Sequence, residues 1–121
     1  MKKILIVDDQ SFIRTVLKGQ LEKIEDLAVV EAANGNEAMG KAKVSKPDLI
    51  LLDIVMPRKD GLQVLEDLKS NPSTQNIPVI VVSSHSEKEK MDKAMELGAK
   101  KFIDKANMNT IDFAELVKQY I

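Results

Sequence analysis

Hydrophobic residues occur in short unbroken runs that alternate with longer, mostly polar stretches. The runs are rich in Val, Ile and Leu, and they occupy residues 4–7, 28–30, 49–52, 79–82 and, more weakly, 102–103. Unbroken runs of this length are typical of strands buried on both faces of a parallel sheet, because a half-exposed strand alternates instead. The pattern therefore predicts five strands covered by helices on both sides.

The stretches between the runs have the periodicity of amphipathic helices. Apolar side chains three or four residues apart lie on one face of a helix, and that face packs on the sheet. The positions with this spacing are Ile13, Val16, Leu17, Leu21 and Ile24, then Leu62, Leu65 and Leu68, then Met91, Ala94 and Met95, and finally Phe113, Leu116, Val117 and Tyr120.

Polar residues indicate where helices begin and end. Asn34 with Glu37, and Ser86 with Glu89, have the spacing of a capping box at a helix start. Gly98 follows the helical positions Met91, Ala94 and Met95 and predicts the end of that helix. With right-handed crossovers, the alternation predicts an α/β fold, a single doubly wound five-stranded parallel sheet in one domain over residues 1–121.

Composition narrows the possible functions. The 121 residues include 18 basic and 19 acidic side chains, a net charge of −1, which argues against a nucleic-acid-binding surface. There is no cysteine and one histidine, His85, which excludes thiolate chemistry and multi-histidine metal sites. The first apolar run is too short for a signal peptide or a membrane span, so we expect a cytoplasmic protein that does not bind membranes.

Candidate chemistry lies where the predicted strands end. Ligands of doubly wound folds bind at the carboxyl ends of the strands. The residues at these ends carry carboxylates, hydroxyls and an ammonium group: Asp8, Asp9, Asp53, Ser83, Ser84 and Lys105. Taken singly, each of these residues is explained as a helix cap, a turn residue or a solvated side chain. Their joint occurrence at the strand ends favours a binding or catalytic site.

A cluster of carboxylates needs positive charge. Two carboxylates roughly 5 Å apart repel by about 3 kcal/mol at an effective dielectric constant of about 20. Lys105 supplies one positive charge, and Mg²⁺, which prefers oxygen ligands, would supply more. A carboxylate nucleophile, Mg²⁺, a lysine and a hydroxyl are the components of a phosphoryl-transfer site that forms an acyl phosphate.

The chain resembles the receiver domains of two-component response regulators over essentially its whole length. The resemblance lies in motifs that occur in the family's order and spacing: residues 4–9 (ILIVDD), 53–61 (DIVMPRKDG), 78–83 (PVIVVS) and 98–105 (GAKKFIDK). It implies the flavodoxin-like strand order 2-1-3-4-5. It also implies a phosphorylation-activated signalling module, similar to the single-domain regulators of chemotaxis.

The resemblance assigns a role to each residue that matches a motif. Asp53 would accept a phosphoryl group from a phosphohistidine on a sensor histidine kinase or phosphotransfer protein. Asp8 and Asp9 would hold Mg²⁺, together with Asp53 and the backbone carbonyl of Val55. Lys105 would bind a phosphoryl oxygen.

The resemblance also implies a switch. Ser83 would bind another phosphoryl oxygen, and Phe102 would turn inward into the space that Ser83 leaves. The added charge would shift the population toward a second conformation, in which the fourth helix, fifth strand and fifth helix dock onto a downstream protein. Pro57 and Gly61 would shape the loop after Asp53. Such a domain catalyses only its own phosphorylation and dephosphorylation and is not an enzyme in turnover.

Two features depart from the family pattern. The family usually has a cis proline after the lysine, whereas Ala106 stands there in this chain. A cis bond before a non-proline residue costs about 2.5–4 kcal/mol, so a trans bond with a rearranged loop is favoured, with Asn109 or Thr110 capping the last helix. His85 and Val55 occupy positions that tune phosphoryl loss in the family; His85 is either an exposed loop residue or a border of the site.

Two other function classes use similar folds. A Mg²⁺ phosphatase with an aspartyl nucleophile usually has Asp-x-Asp after a strand, whereas Asp8 and Asp9 are adjacent. A flavin-binding module would need aromatic stacking residues, and aromatics make up 3% of this chain.

We expect a receiver domain, either a natural single-domain regulator or the amino-terminal part of a longer one; the absence of a linker after Tyr120 favours the first.

Overall fold

The computed structural model describes residues 1–56 and 60–121. Strands and helices alternate along the chain as predicted. Their bounds are β1 (Lys2–Val7), α1 (Ser11–Leu21), β2 (Leu27–Ala32), α2 (Gly35–Ser45), β3 (Leu49–Leu52), α3 (Gly61–Ser70), β4 (Val79–Ser83), α4 (Lys88–Glu96), β5 (Lys101–Asp104), a 3₁₀ helix (Lys105–Thr110) and α5 (Phe113–Lys118). Pro57, for which a role in the loop is predicted, lies outside the described residues.

The strands of the described residues form one five-stranded sheet in the order β2-β1-β3-β4-β5. All neighbouring strands are parallel. This confirms the predicted α/β fold and the flavodoxin-like strand order. Because every strand runs in the same direction, their carboxyl ends meet at one edge of the sheet. None of the described helices is both long and apolar enough to cross a membrane.

Two hydrophobic cores lie on opposite faces of the sheet. Successive side chains of a strand point to opposite faces, and in β1 Ile4 and Ile6 belong to one core while Leu5 and Val7 belong to the other. Helices α1 and α5 cover the first core, and α2, α3 and α4 cover the second. Both faces of the sheet are therefore buried under helices, which explains why the strand sequences are unbroken apolar runs. Each fully buried Leu, Ile or Val stabilises the fold by about 1.5–3 kcal/mol.

Two of the predicted helix boundaries are confirmed. The Asn34 side chain accepts a hydrogen bond from the Glu37 amide at 3.0 Å, and the Glu37 side chain accepts one from the Asn34 side chain at 3.0 Å. Gly98 has φ of +108° after the end of α4, the left-handed conformation that glycine adopts most easily. Local sequence determines both of these boundaries.

Three boundary predictions are wrong. Ser86 does not cap α4: the cap residue is Glu87, and the Ser86 hydroxyl donates to Asp104 at 2.6 Å. Neither Asn109 nor Thr110 caps α5, because the chain continues as the 3₁₀ helix Lys105–Thr110 and the cap is Asp112, which accepts a hydrogen bond from the Glu115 amide. Ile24 lies beyond the end of α1 but still packs against the core.

Candidate functional site

The structure brings three acidic side chains together at the carboxyl edge of the sheet. Asp8 follows β1 and Asp53 follows β3, and Asp8, Asp9 and Asp53 each offer a carboxylate oxygen within 4.8 Å of the others. Asp8 and Asp53 are 2% and 4% exposed, whereas Asp9 is exposed to solvent. The cluster, called the acidic pocket below, therefore has two buried carboxylates and one exposed carboxylate.

Backbone hydrogen bonds fix the two buried carboxylates. The amides of Asp8 and Asp53 extend the sheet by donating to Ala32 and Val7 carbonyls at 3.1 and 2.9 Å. One oxygen of each carboxylate then accepts from an amide two residues on, Oδ1 of Asp8 from Gln10 at 2.9 Å and Oδ1 of Asp53 from Val55 at 3.1 Å. These amide bonds therefore give both carboxylates a defined orientation.

Lys105 bridges the two buried carboxylates. Its Nζ lies 2.8 Å from Oδ2 of Asp8 and 3.2 Å from Oδ2 of Asp53, and it also donates to Oε1 of Gln10 at 3.4 Å. Burial raises the pKa of Asp8 above its usual value, although contact with Lys105 opposes that shift. Burial alone would lower the pKa of Lys105, but its bonds to the two carboxylates outweigh burial and raise it. Lys105 is therefore a fixed positive charge in an excess of negative charge.

The start of α3 packs directly against the backbone of Asp53 and Ile54. The Gly61 amide donates to the Ile54 carbonyl at 3.0 Å. A Cβ added at Gly61 would lie 2.2 Å from the Ile54 Cα and 2.4 Å from the Asp53 carbonyl oxygen. Only glycine fits here, which agrees with its predicted role in the loop after Asp53.

The predicted switch residues lie on neighbouring strands. Ser83 ends β4 and is fully buried, and its hydroxyl oxygen accepts a hydrogen bond from the His85 amide at 3.1 Å. Phe102 lies in β5 opposite Val81 of β4, and it is partly buried against the core under α2, α3 and α4. Ser84, next along the loop, is exposed.

The two predicted tuning residues have exposed side chains. Val55 is 39% exposed at the loop that follows Asp53. The His85 side chain is 46% exposed, with Nδ1 3.7 Å from Oε1 of Glu87. The exposed side chain of His85 agrees with the prediction of an exposed loop residue. A role for His85 at the border of the acidic site remains a prediction.

The peptide bond between Lys105 and Ala106 is trans, like every other described peptide bond. This is the favoured alternative from the sequence, and the loop is rearranged into the 3₁₀ helix Lys105–Thr110. The Asp104 side chain caps that helix by accepting from the Ala106 amide at 2.9 Å. Lys105 nevertheless reaches the acidic pair.

Sequence reasoning missed two residues that shape the site. The Gln10 side chain contacts Lys105. Arg14 donates from Nη1 to the Asp8 carbonyl at 2.7 Å and from Nε to Oε1 of Glu31 at 3.1 Å. The Arg14 contact depends on β1 and β2 being neighbours, which no local motif indicates.

The donor set fits a hard divalent cation. Carboxylate and carbonyl oxygens are the ligands that Mg²⁺ prefers, and Mg²⁺ usually uses one or two carboxylates and keeps several waters. The exposed side at Asp9 leaves room for such waters and for phosphate oxygens. The acidic cluster is thus chemically suited to Mg²⁺, and Lys105 supplies only part of the charge it needs.

The chain is similar to known proteins along almost its entire length. The family model of the response regulator receiver domain matches residues 4–119. The chemotaxis protein CheY of Listeria monocytogenes is 41% identical over 106 residues, which cover 87% of this chain and 87% of that protein. The phosphorylated cyanobacterial phytochrome response regulator RcpA has a similar structure, with a TM-score of 0.87 and 30% identity over 98% of this chain and 93% of that chain.

Longer proteins also contain a matching segment. A protein-glutamate methylesterase/protein-glutamine glutaminase of Halalkalibacterium halodurans is 44% identical over 107 residues, 85% of this chain. The match covers only 30% of that protein's length, so its enzymatic activity is not transferred to this chain. The family match, the relatives and the fold agree: the chain belongs to the response regulator receiver family, whose members are phosphorylation-activated signalling domains.

Proposed function

We propose that Asp53 accepts a phosphoryl group in a Mg²⁺-dependent reaction and that the resulting acyl phosphate switches a docking surface of this chain. The observation that carries the proposal is the convergence of Asp8, Asp9 and Asp53 with the ammonium group of Lys105 between the two buried members. The residues 1–121 would act as one receiver domain. Its donor would be the phosphohistidine of a sensor kinase or phosphotransfer protein.

Each side chain has a distinct part in the transfer. A carboxylate oxygen of Asp53 forms the new bond to phosphorus as the bond from phosphorus to the donor nitrogen breaks. Lys105 moves from its carboxylate partners to a phosphoryl oxygen and offsets the charge that arrives there. Asp8 and Asp9, with Asp53 and the Val55 carbonyl, would hold Mg²⁺. When bound, Mg²⁺ would neutralise charge on the transferring oxygens and orient them.

Ser83 is suited to sense the product. The His85 amide occupies one lone pair of its hydroxyl, and none of the described residues provides an acceptor for its proton. That proton is free to bind a phosphoryl oxygen, and such charge-assisted bonds are stronger than neutral ones. Phe102, on the neighbouring strand, would follow into the vacated space. The surface of α4, β5 and α5 would then change and dock onto a downstream protein.

Val55 and His85 would tune how fast the acyl phosphate is lost.

The proposal is tested with a small phosphodonor. Incubation with acetyl phosphate and Mg²⁺ should raise the intact mass by one phosphoryl group, and Asp53→Asn should abolish the increase. Asp26→Asn is the matched control, because Asp26 is exposed between α1 and β2, at the opposite end of the sheet. A wild-type chain that stays unlabelled, or an Asp53→Asn variant that is labelled at the wild-type rate, contradicts the proposal.

A further inference from the structure

We propose that Asp104, anchored by Ser86, is the positioning residue that fixes Lys105 for phosphoryl binding in this chain. The inference rests on the proposed function, since it concerns the group that would hold the transferred phosphate. Neither Asp104 nor Ser86 would touch the phosphate itself. They act through the backbone on either side of Lys105.

Both oxygens of the Asp104 carboxylate are used. Oδ1 accepts a hydrogen bond from the Ala106 amide at 2.9 Å, and Oδ2 accepts one from the Ser86 hydroxyl at 2.6 Å. The first bond starts the 3₁₀ helix Lys105–Thr110. The side chain of residue 104 is therefore tied to the amide of residue 106, so the bond spans Lys105 and sets the direction of its stem.

Lys105 needs such a restraint once it leaves its carboxylate partners for a phosphoryl oxygen. A lysine stem has four carbons with free rotation, so the backbone then decides how well the ammonium group is placed. A proline at position 106 would restrict that backbone, but alanine does not. The Asp104 cap supplies a restraint at the same place in the chain.

The Ser86 hydroxyl binds Asp104 instead of capping α4. Its sequence position predicts a cap for α4, yet α4 begins after Glu87 with no side-chain cap. The hydroxyl instead bonds Asp104, 18 residues away in the chain. Hydrogen bonds from Ser86, the first cause, and from the Ala106 amide hold the pKa of Asp104 below its usual value. The carboxylate is therefore charged at neutral pH, which strengthens both bonds.

The same contact closes a small ring around Ser83. Ser83 and Asp104 face each other at the paired ends of β4 and β5. The loop after Ser83 returns to Asp104 through Ser86, and within it the His85 amide binds the Ser83 hydroxyl. The Ser83 hydroxyl has its own partner, the His85 amide, so the Ser86 hydroxyl acts on Asp104 and, through it, on Lys105.

The test compares phosphorylation rates at saturating Mg²⁺, measured by intact mass with acetyl phosphate as donor. Ser86→Ala, which removes one hydrogen bond to a charged group, should slow phosphorylation by roughly tenfold. Asp104→Ala, which removes both bonds of the carboxylate, should slow it at least as much. Ser86→Thr keeps the hydroxyl and should restore the rate. The controls are Ser73→Ala, which removes another loop hydroxyl bound to a nearby side chain, and Asp112→Ala, which removes the cap of α5; both should phosphorylate at the wild-type rate.

A double-mutant cycle separates positioning of Lys105 from a general structural effect. The measurement is the affinity for beryllofluoride, a phosphoryl mimic, with Mg²⁺ present, followed by amide NMR. Ser86→Ala should weaken this affinity in the wild-type background and leave it unchanged in a Lys105→Met background, while the affinity for Mg²⁺ alone is not weakened.

Three results overturn the inference: a wild-type rate in Ser86→Ala and Asp104→Ala, an equal loss of beryllofluoride affinity in the Lys105→Met background, or a loss of Mg²⁺ affinity. The failure of the proposed function is distinguishable, because the wild-type chain would then take up no phosphoryl group at all.

Discussion

At the scale of single residues, the candidate site is an unbalanced set of charges. Asp8 and Asp53 are both buried and share one cation, Lys105. A buried carboxylate without full compensation destabilises the folded state. The sequence made the participants of this cluster predictable because each lies just after the end of a strand, but it did not show that Lys105 would contact both buried carboxylates.

The substitution Asp8→Asn should stabilise the metal-free protein at pH 7. Burial raises the pKa of Asp8, so the folded state holds this proton more tightly than the unfolded state does. The ionised group therefore costs stability above its folded pKa, and the cost disappears as pH falls through that pKa towards the unfolded value. We expect Asp8→Asn to be more stable by about 1 kcal/mol at pH 7, measured by urea unfolding, with the difference shrinking as the pH is lowered through the raised pKa of Asp8.

Mg²⁺ and an exposed aspartate provide the controls for Asp8→Asn. Mg²⁺ should stabilise the wild-type chain by mass action and stabilise Asp8→Asn much less. Asp26→Asn, at an exposed position, should change the free energy of unfolding at pH 7 by less than about 0.5 kcal/mol. If Asp8→Asn is less stable than the wild type without metal at pH 7, the carboxylate contributes more through Lys105 than it loses through burial.

At the scale of elements, helix starts and loop ends place the reactive groups. Helix α3 begins so close to Asp53 that its first residue must be glycine. The strands, the Asn34 cap and the Gly98 end were predictable because each depends on residues adjacent in sequence. The starts of α4 and α5 were not predictable in this way. Ser86 bonds Asp104 on β5 instead of capping α4. Asp112 caps α5 only after an added 3₁₀ helix.

Replacing Gly61 with alanine should destabilise the fold and slow phosphorylation. The new Cβ would overlap the backbone of Asp53 and Ile54, so the loop that presents the acceptor must move, at a cost of about 1–3 kcal/mol. Gly19→Ala is the matched control, because at Gly19, within α1, an added Cβ meets none of the described atoms within 4 Å. That variant should gain about 0.5–1 kcal/mol from helix propensity. Urea unfolding distinguishes the two, and equal effects would contradict the close approach at Gly61.

At the scale of the whole molecule, the sheet connects the acidic pocket to its edge strand β5. Strands β4 and β5 are paired at one edge of the sheet, with Ser83 facing Asp104 and Val81 facing Phe102. A change at Ser83 therefore reaches β5 directly across the ladder. The fold was predictable from the apolar runs together with the family resemblance, whereas contacts such as Arg14 with Glu31 required knowing which strands are neighbours.

Phosphorylation should change the surface of α4, β5 and α5 and leave α2 largely unaffected. Amide NMR shifts on addition of acetyl phosphate and Mg²⁺ should be largest for residues 83–104 after those of the pocket itself. In Ser83→Ala, Asp53 should still be labelled, but the shifts in α4 and β5 should be much reduced, because the hydroxyl proposed to sense the phosphate is missing. Shifts that persist in this variant would mean that Ser83 does not transmit the change.

Lys105 comes from the end of β5, whereas the carboxylates that it bridges follow β1 and β3. Domains are made from the amino terminus onward during synthesis. A nascent chain that has emerged only as far as β4 carries Asp8, Asp9 and Asp53 but has no ammonium group to steady a transferred phosphate. Under the proposed function, the ability to hold a phosphoryl group on Asp53 would therefore arrive only with β5.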